Sequence, residues 1–307
     1  MHAILLRNWG DPSQLELAET PIPTPKAHQV LVKVHYAALN PVDYKIRKGR
    51  FKWFIRRPFP IILGLEASGT LVDDPARRVY VYTSRGFQMG CYAGYVAVDK
   101  DRVFELPDGI DLQLGAALAV APVTALQALR DHGKVRAGSK VLINGASGSV
   151  GQCALQIALT MGAQVTAVSS GRNHQRLLQL GAHRVIDYQQ TDFTLENNQY
   201  DLVLDCVSTR KFSECQPVLT PTGRYVNLML RPIDLLYQRL HNVFSKQKFI
   251  TFVMDYQQKD LAWICDQLLT GNLHLPIDEL FPIEQIQAAH HKLESGRAIG
   301  KILIELP

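Results

Sequence analysis

The stretch Val141-Leu142-Ile143-Asn144-Gly145-Ala146-Ser147-Gly148-Ser149-Val150-Gly151 restricts the fold of this chain more than any other. It starts as a short apolar run, which reads as a strand of a parallel sheet buried on both faces. It then turns through small residues and enters the helix-periodic segment Cys153 to Leu159. A strand, a glycine turn and a helix N-terminus aim backbone N–H groups and a helix dipole at one place, and a dinucleotide pyrophosphate fits there. In the G-x-G-x-x-G frame the residues are Ala146, Gly148 and Gly151, so alanine takes the first glycine position. Gly148 would let the backbone approach the phosphates, with Ser147, Ser149 and Val150 beside it. Gly151 would let the helix pack close to the strand. A lone match of this kind is weak, because glycine-rich turns also arise by chance. Here the context strengthens it: Gly162 stands where a C-terminal cap belongs, and Gln164 to Val168 reads as a second strand.

The end of that second strand selects the dinucleotide. An NAD site places Asp or Glu there to hold the ribose 2′-hydroxyl. This chain has Ser169-Ser170-Gly171-Arg172-Asn173 and no carboxylate. Two hydroxyls and a guanidinium suit a 2′-phosphate, which a carboxylate would repel. The expected cofactor is therefore NADPH. The alternative is that Arg172 merely opens the next helix and points into solvent.

The chain has 307 residues, enough for two domains. The start, Met1 to Arg7, turns polar too soon for a signal peptide, and no run reaches the ~18 apolar residues of a membrane span. The five cysteines include no C-x-x-C pair, which points to a reducing, cytoplasmic setting without disulfides or structural zinc. Charge is uneven. Lys45, Arg47, Lys48, Arg50, Lys52, Arg56 and Arg57 crowd one stretch without an acid, and without them the formal charge of +5 turns negative. Phe51, Trp53 and Phe54 are interleaved, so a solvated loop, an anion-attracting rim, and nucleic-acid or membrane binding are weighed in that order.

Along the chain, residues 1 to about 28 read as two strands and a proline-rich turn. Gln29 to Tyr36 is a strand, Asn40-Pro41-Val42-Asp43 a turn and helix start, and further short strands are expected over Pro60 to Val72, Arg78 to Tyr82 and Ala93 to Val98. From about Asp111 helices and strands alternate. Leu114 to Asp131 reads as a helix interrupted by Pro122. Helix Arg172 to Leu180 and strands Arg184 to Asp187, Tyr200 to Val207, Gly223 to Met229 and Lys248 to Met254 complete six parallel strands. Helices Lys259 to Leu269 and Ile283 to Leu293 and a strand Gly300 to Leu306 end the chain.

Ala38-Leu39-Asn40-Pro41-Val42-Asp43, Gly64 to Gly69, Thr124-Ala125-Leu126, Ala146 to Gly151, Leu180-Gly181-Ala182, Leu293 to Gly296 and Gly300-Lys301-Ile302 come in an order that resembles the medium-chain dehydrogenase/reductase superfamily. Within it the chain is similar to the zinc-free quinone oxidoreductase (zeta-crystallin-like) branch. The resemblance implies an α/β fold, with a Rossmann doubly wound parallel sheet (116–255) inserted into a GroES-like β-rich substrate domain (1–115 and 256–307), an active site in the cleft, and a homodimer paired through its cofactor domains. It places Tyr188 near the adenosine half, Asn40 and Thr124 near the nicotinamide, and Asn40 and Tyr44 near substrate. Zinc members carry a cysteine where this chain has Asn40-Pro41 and a histidine at Leu65, so no zinc is expected. The implied activity is hydride transfer from NADPH to a quinone or an α,β-unsaturated carbonyl, with no general acid identified. Rival readings are an enoyl-thioester reductase of the same fold and a non-catalytic NADPH-binding protein, crystallin-like or RNA-binding.

Overall fold

A computed structural model describes the chain apart from residues 56, 84–87, 198 and 230 and the side chain of residue 232. It divides into two units. The first comprises Met1–Val120, Leu261–Leu269 and Ile277–Pro307, and the second Ala121–Asp260 and Thr270–Pro276.

In chain order the first unit holds β1 (His2–Leu6), β2 (Leu15–Glu19), β3 (Gln29–Leu39), α1 (Pro41–Arg47), β4 (Ile61–Ile62), β5 (Glu66–Leu71), β6 (Arg78–Tyr82), β7 (Tyr95–Asp99), β8 (Val103–Glu105) and α2 (Leu112–Ala116). Helix α3 (Val120–Gln127) leads into the second unit, which holds β9 (Lys140–Asn144), α4 (Ser149–Thr160), β10 (Gln164–Ser169), α5 (His174–Gln179), β11 (Arg184–Asp187), β12 (Tyr200–Asp205), α6 (Phe212–Cys215), β13 (Leu219–Asn227), α7 (Pro232–Phe244) and β14 (Lys248–Thr251). The chain closes with α8 (Gln258–Leu269), β15 (Ile277–Pro282), α9 (Ile286–Glu294) and β16 (Lys301–Glu305).

The sheet of the second unit runs β11-β10-β9-β12-β13-β14, all parallel. From β9 the chain steps outward through β10 to β11, then jumps back to β12 and steps the other way. Right-handed crossovers on the two halves place their helices on opposite faces, a Rossmann arrangement. Both faces are therefore covered, and Val141, Leu142 and Ile143 are fully buried. That is why β9 is an unbroken apolar run rather than an alternating one.

The first unit is mostly antiparallel. One sheet follows β15-β16-β3-β5-β6-β8 with β7 also paired to β3, and a smaller one follows β2-β1-β4. Its core gathers Ile4, Leu6, Val32, Val34, Leu39, Leu63, Val79 and Val81 with Ile302 and Ile304 from the returning tail. Pro122 does not interrupt a helix as the sequence suggested. It lies in the first turn of α3, where the missing N–H has no intrahelical acceptor to lose, and the break falls before it at Ala117–Ala119. Helix α7 was not foreseen at all. The five cysteines are free thiols, four buried and Cys206 partly so. Among the described residues no helix is long and apolar enough to cross a membrane.

Candidate functional site

The sheet order reverses between β9 and β12, and open α/β sheets bind ligands beyond the strand ends at such a point. The glycine turn occupies that place. Gly145, one residue before the expected frame, makes the tight turn with φ +80°; a side chain there would lie 2.6 Å from Val207 Cγ1. At Gly151 an added Cβ would stand 2.3 Å from the Gly145 carbonyl oxygen and 2.7 Å from Ala146 Cα, so α4 and the turn leaving β9 meet there backbone to backbone. Gly148 differs. It is the N-cap of α4 with φ −76°, and its added Cβ would meet only the Gly145 carbonyl oxygen, at 3.6 Å. Nothing within the protein requires glycine at 148. The space above it is open, and the first turn of α4 bears no acidic residue. Ser147, Ser149 and Val150 are half-buried around it, and the first-turn amides of a helix have no acceptor within the helix. The residues present thus form a cradle that suits a phosphate.

Two polar side chains brace this turn. Gln152 Nε2 donates to the Ser147 carbonyl at 2.7 Å, and Arg176 Nε donates to Gln152 Oε1 at 3.0 Å. An exposed guanidinium is thereby tethered to the glycine turn through one amide. The sequence reading missed Arg176, although its i, i+4 spacing from Arg172 was visible.

At the end of β10, Ser169 is buried and donates to the Ser170 carbonyl, while Ser170 Oγ accepts from Asn173 Nδ2 at 3.1 Å. Arg172 is exposed and makes no hydrogen bond or ion pair among the described residues. Tyr188 is exposed too, its N–H donating to the Ser169 carbonyl at 3.2 Å. One carboxylate does border this loop: Asp187, paired in register with Ser169, would have Oδ2 2.7 Å from a Cβ at Gly171. It comes from the third strand, β11, and a search confined to the end of the second strand passes over it.

A network closes the ends of β9, β12 and β13. Asn144 Nδ2 donates to Asp205 Oδ1 and to Thr209 Oγ1, both at 3.1 Å. Asp205 Oδ1 also accepts the Val207 and Ser208 N–H groups, and Ser208 Oγ donates to Asn227 Oδ1. Asp205 and Asn227 therefore hold the loop after β12. Thr124 lies inside α3 and is half-buried.

The first unit carries a second polar cluster. Leu39 pairs with Ile302 and Ala38 with Glu66, so the register sets Lys301 and Glu66 beside Asn40, which follows β3 as the N-cap of α1. All three are buried. Lys301 Nζ donates to Glu66 Oε1 and, at 2.6 Å, to Asn40 Oδ1. Asn40 Nδ2 donates to Glu66 Oε1 at 3.1 Å and to the Ala38 carbonyl at 3.4 Å. Glu66 Oε2 accepts from Tyr80 Oη and the Val120 N–H. The Asn40 amide is therefore fully engaged within the protein. Next to it, Asp43 Oδ2 accepts the Asn40 N–H at 2.7 Å and Tyr92 Oη at 3.0 Å. Complete burial pushes the Asp43 carboxyl up to about 7, and burial beside Asp43 pushes the Tyr92 phenol upward. Tyr44 is half-buried, with Lys48 Nζ 5.6 Å from its ring centroid.

The basic stretch is not uniformly solvated. Arg47 is fully buried, pairing with Glu294 and donating to the Gly10 carbonyl at 2.7 Å, and Lys48 pairs with Glu294 as well. Arg56 lies outside the described residues.

Residues 26–108 match the alcohol dehydrogenase GroES-like domain model and residues 180–304 the zinc-binding dehydrogenase model. The chloroplast envelope quinone oxidoreductase homolog of Arabidopsis thaliana is 30% identical over 99% of this chain and 98% of its own length. The chain belongs to the medium-chain dehydrogenase/reductase superfamily, in its quinone oxidoreductase branch. The Homo sapiens quinone oxidoreductase is 29% identical over 100% of this chain and 98% of its own. A solved quinone oxidoreductase from Coxiella burnetii superposes with a TM-score of 0.93 at 28% identity, covering 100% of this chain and 99% of that one. This branch member is thus an α/β oxidoreductase with a GroES-like domain and a Rossmann sheet, and its superfamily implies a nicotinamide cofactor.

Proposed function

We propose that this chain is an NADPH-dependent, zinc-independent reductase that hands a hydride to a quinone or to the β-carbon of an α,β-unsaturated carbonyl. It would act as a cytoplasmic homodimer, with the second unit as the cofactor domain and the first as the substrate domain. The carrying observation is the cradle at Gly148, open above and free of acids in the first helical turn.

In this reading the amides of Ser147 to Val150 hold the pyrophosphate, with Arg176 adding charge through its tether to Gln152. Ser170 and Arg172 hold the 2′-phosphate and Tyr188 packs on the adenosine side. Asp187 is the one carboxylate against this loop among the described residues, and the exposed Arg172 guanidinium, which carries no ion pair among them, supplies the charge that a 2′-phosphate needs. NADPH, when bound, supplies the hydride. Among substrate-side residues, Asn40 has its amide committed to Lys301, Glu66 and the Ala38 carbonyl, so its part is to fix the start of α1 that carries Tyr44. The Tyr44 hydroxyl forms no hydrogen bond among the described residues and remains to donate toward charge developing on a carbonyl oxygen.

Zinc independence rests on donor chemistry. Leu65 offers no ligand, an ammonium group already neutralises Glu66, and the described residues contain no cluster of three His, Cys, Asp or Glu suited to a metal.

The test is titration calorimetry with NADPH and NADH on the wild type and on a Ser170→Asp, Arg172→Ala variant. Losing charged hydrogen bonds should weaken NADPH by about 10–100-fold while NADH changes little. An unchanged affinity ratio would overturn the NADPH reading. Reduction of a quinone and an enone by NADPH, insensitive to chelator, tests the reaction itself.

A further inference from the structure

The basic stretch that follows α1 ends in a turn that projects from the first unit. The Gly49 N–H donates to the Ile46 carbonyl at 2.7 Å and the Arg50 N–H to the Lys45 carbonyl at 3.0 Å, so the chain swings round as the helix ends. The Phe51 carbonyl then accepts the Phe54 N–H at 2.9 Å and the Ile55 N–H at 3.1 Å, which closes one further turn. The two ends of that turn face inward: Ile55 is buried in the core of the unit, and Phe51 packs against it. Between them Lys52, Trp53 and Phe54 are exposed, Trp53 by 77% and Phe54 by 70%.

A single exposed apolar side chain is ordinary, but here two large rings stand at adjacent positions among cations. Arg50, Lys52 and Arg57 are exposed and enter no ion pair among the described residues, and Lys52 Nζ lies 5.5 Å from the Trp53 ring centroid. The sequence has no acid from Tyr44 to Leu65. Two carboxylates approach from other elements, Glu294 paired with Arg47 and Lys48, and Asp11 near Arg47. Both lie at the end of α1 rather than at the tip. The remainder of the chain is formally negative, so attraction to an anionic surface is concentrated here.

We propose that this tip docks the protein reversibly on an anionic phospholipid bilayer, with Trp53 and Phe54 seated among the headgroups and Arg50, Lys52 and Arg57 against the lipid phosphates. Tryptophan favours the membrane interface because its ring is apolar and its indole N–H is polar, and cations beside it are drawn by the negative surface potential. Single-stranded nucleic acid also takes cations and rings, but in a groove that tracks its backbone. Rings exposed to this degree stand out from the surface instead, and a soft bilayer accepts that shape. Each cation near the surface is worth about fivefold in partitioning, so the three give about 100-fold before the rings insert. The docking goes beyond the reductase reading and does not depend on it. Joined to that reading, it holds the enzyme at the phase in which apolar quinones dissolve.

The experiment is flotation of the full chain, without cofactor, on vesicles of phosphatidylcholine, of phosphatidylglycerol or of an equal mixture, at low and high salt. The wild type should float with the anionic vesicles alone, and salt should release it. Arg50→Gln with Lys52→Gln should weaken binding by about 25-fold, and Trp53→Ser with Phe54→Ser by at least about tenfold, each with an unchanged circular dichroism spectrum. Trp53→Phe should still float, yet lose the blue shift that anionic vesicles impose on tryptophan emission, which reports insertion of this ring. No flotation on anionic vesicles, or flotation indifferent to both double variants, overturns the proposal. So does a single-stranded RNA oligonucleotide that binds through these residues while vesicles do not. None of these readouts uses NADPH, so failure here leaves the reductase reading standing.

Discussion

Two glycines three residues apart carry different burdens, and alanine at each separates them. At Gly151 the new methyl would lie 2.3 Å from a carbonyl oxygen and under 3 Å from two Ala146 backbone atoms. Ordinary contact begins near 3.4 Å, so helix and turn must part by roughly 1 Å along backbone that has no rotamer to yield. Overpacking of this kind costs about 1–3 kcal/mol and more where only backbone can give way. Gly151→Ala should therefore lower stability by about 3 kcal/mol. At Gly148 the methyl finds only one ordinary contact, in a conformation alanine adopts freely. A weaker N-cap costs a few tenths to ~1 kcal/mol, and the stiffer unfolded chain returns a similar amount. Gly148→Ala should keep its stability yet lose at least about tenfold in NADPH and NADH affinity, because the methyl occupies the approach of a phosphate oxygen. Thermal unfolding and titration calorimetry read the two effects apart. Unaltered affinity in Gly148→Ala would remove the pyrophosphate from this turn, and unaltered stability in Gly151→Ala would refute the close approach of α4 to the turn at Gly145 and Ala146.

Lys301→Met should destabilise the first unit by about 3–5 kcal/mol, since it strands the buried Glu66 charge, whereas adding Glu66→Gln should recover most of that loss. All three tryptophans, Trp9, Trp53 and Trp263, belong to this unit, so denaturant unfolding followed by fluorescence reports it; a double variant no better than the single contradicts the pairing. Asp43 ionises at about 7 when folded against 3.8 ordinarily, so its stabilising contribution is full below pH 3.8 and lost as pH rises to 7. Asp43→Asn should gain on the wild type over that range, by up to about 4 kcal/mol. Burial pushes His290 down to about 3 from 6.5, so the wild type loses stability as pH falls through that window and His290→Phe should gain there; pH curves parallel to the wild type would refute either assignment. Arg176→Ala should weaken NADPH and NADH alike, by about tenfold, and a loss confined to NADPH in calorimetry would move Arg176 to the 2′-phosphate.

What could be read from the sequence followed its local periodicity. Strands Arg78–Tyr82 and Arg184–Asp187 emerge with their observed limits, and β9 is recognisable because parallel strands covered on both faces leave unbroken apolar runs. Helix α7 escaped because the usual rule assigns an apolar stripe to the core, while here Leu240 and Val243 face out and the Gln238 and Asn242 amides bond to β14. Gly145 escaped because the glycine frame was set one residue later. The Asn40–Glu66–Lys301 cluster lay beyond reach for another reason: Lys301 is separated from Asn40 by 261 positions, and only the β16-β3-β5 register brings them together. Asp187 reaches the loop after β10 by the same kind of strand adjacency.

The state of the cysteines bears on the chemistry proposed. Quinones and enones are electrophiles, and the species they alkylate is the thiolate rather than the thiol. Burial raises the Cys91 and Cys206 thiols well beyond their ordinary range, lifts Cys215 to about 12 and Cys265 to about 11, and Cys153 is fully enclosed. With four of the five sulfurs enclosed, a catalyst of soft electrophiles would be open to arylation chiefly at the partly buried Cys206, and at the others only when the fold uncovers them.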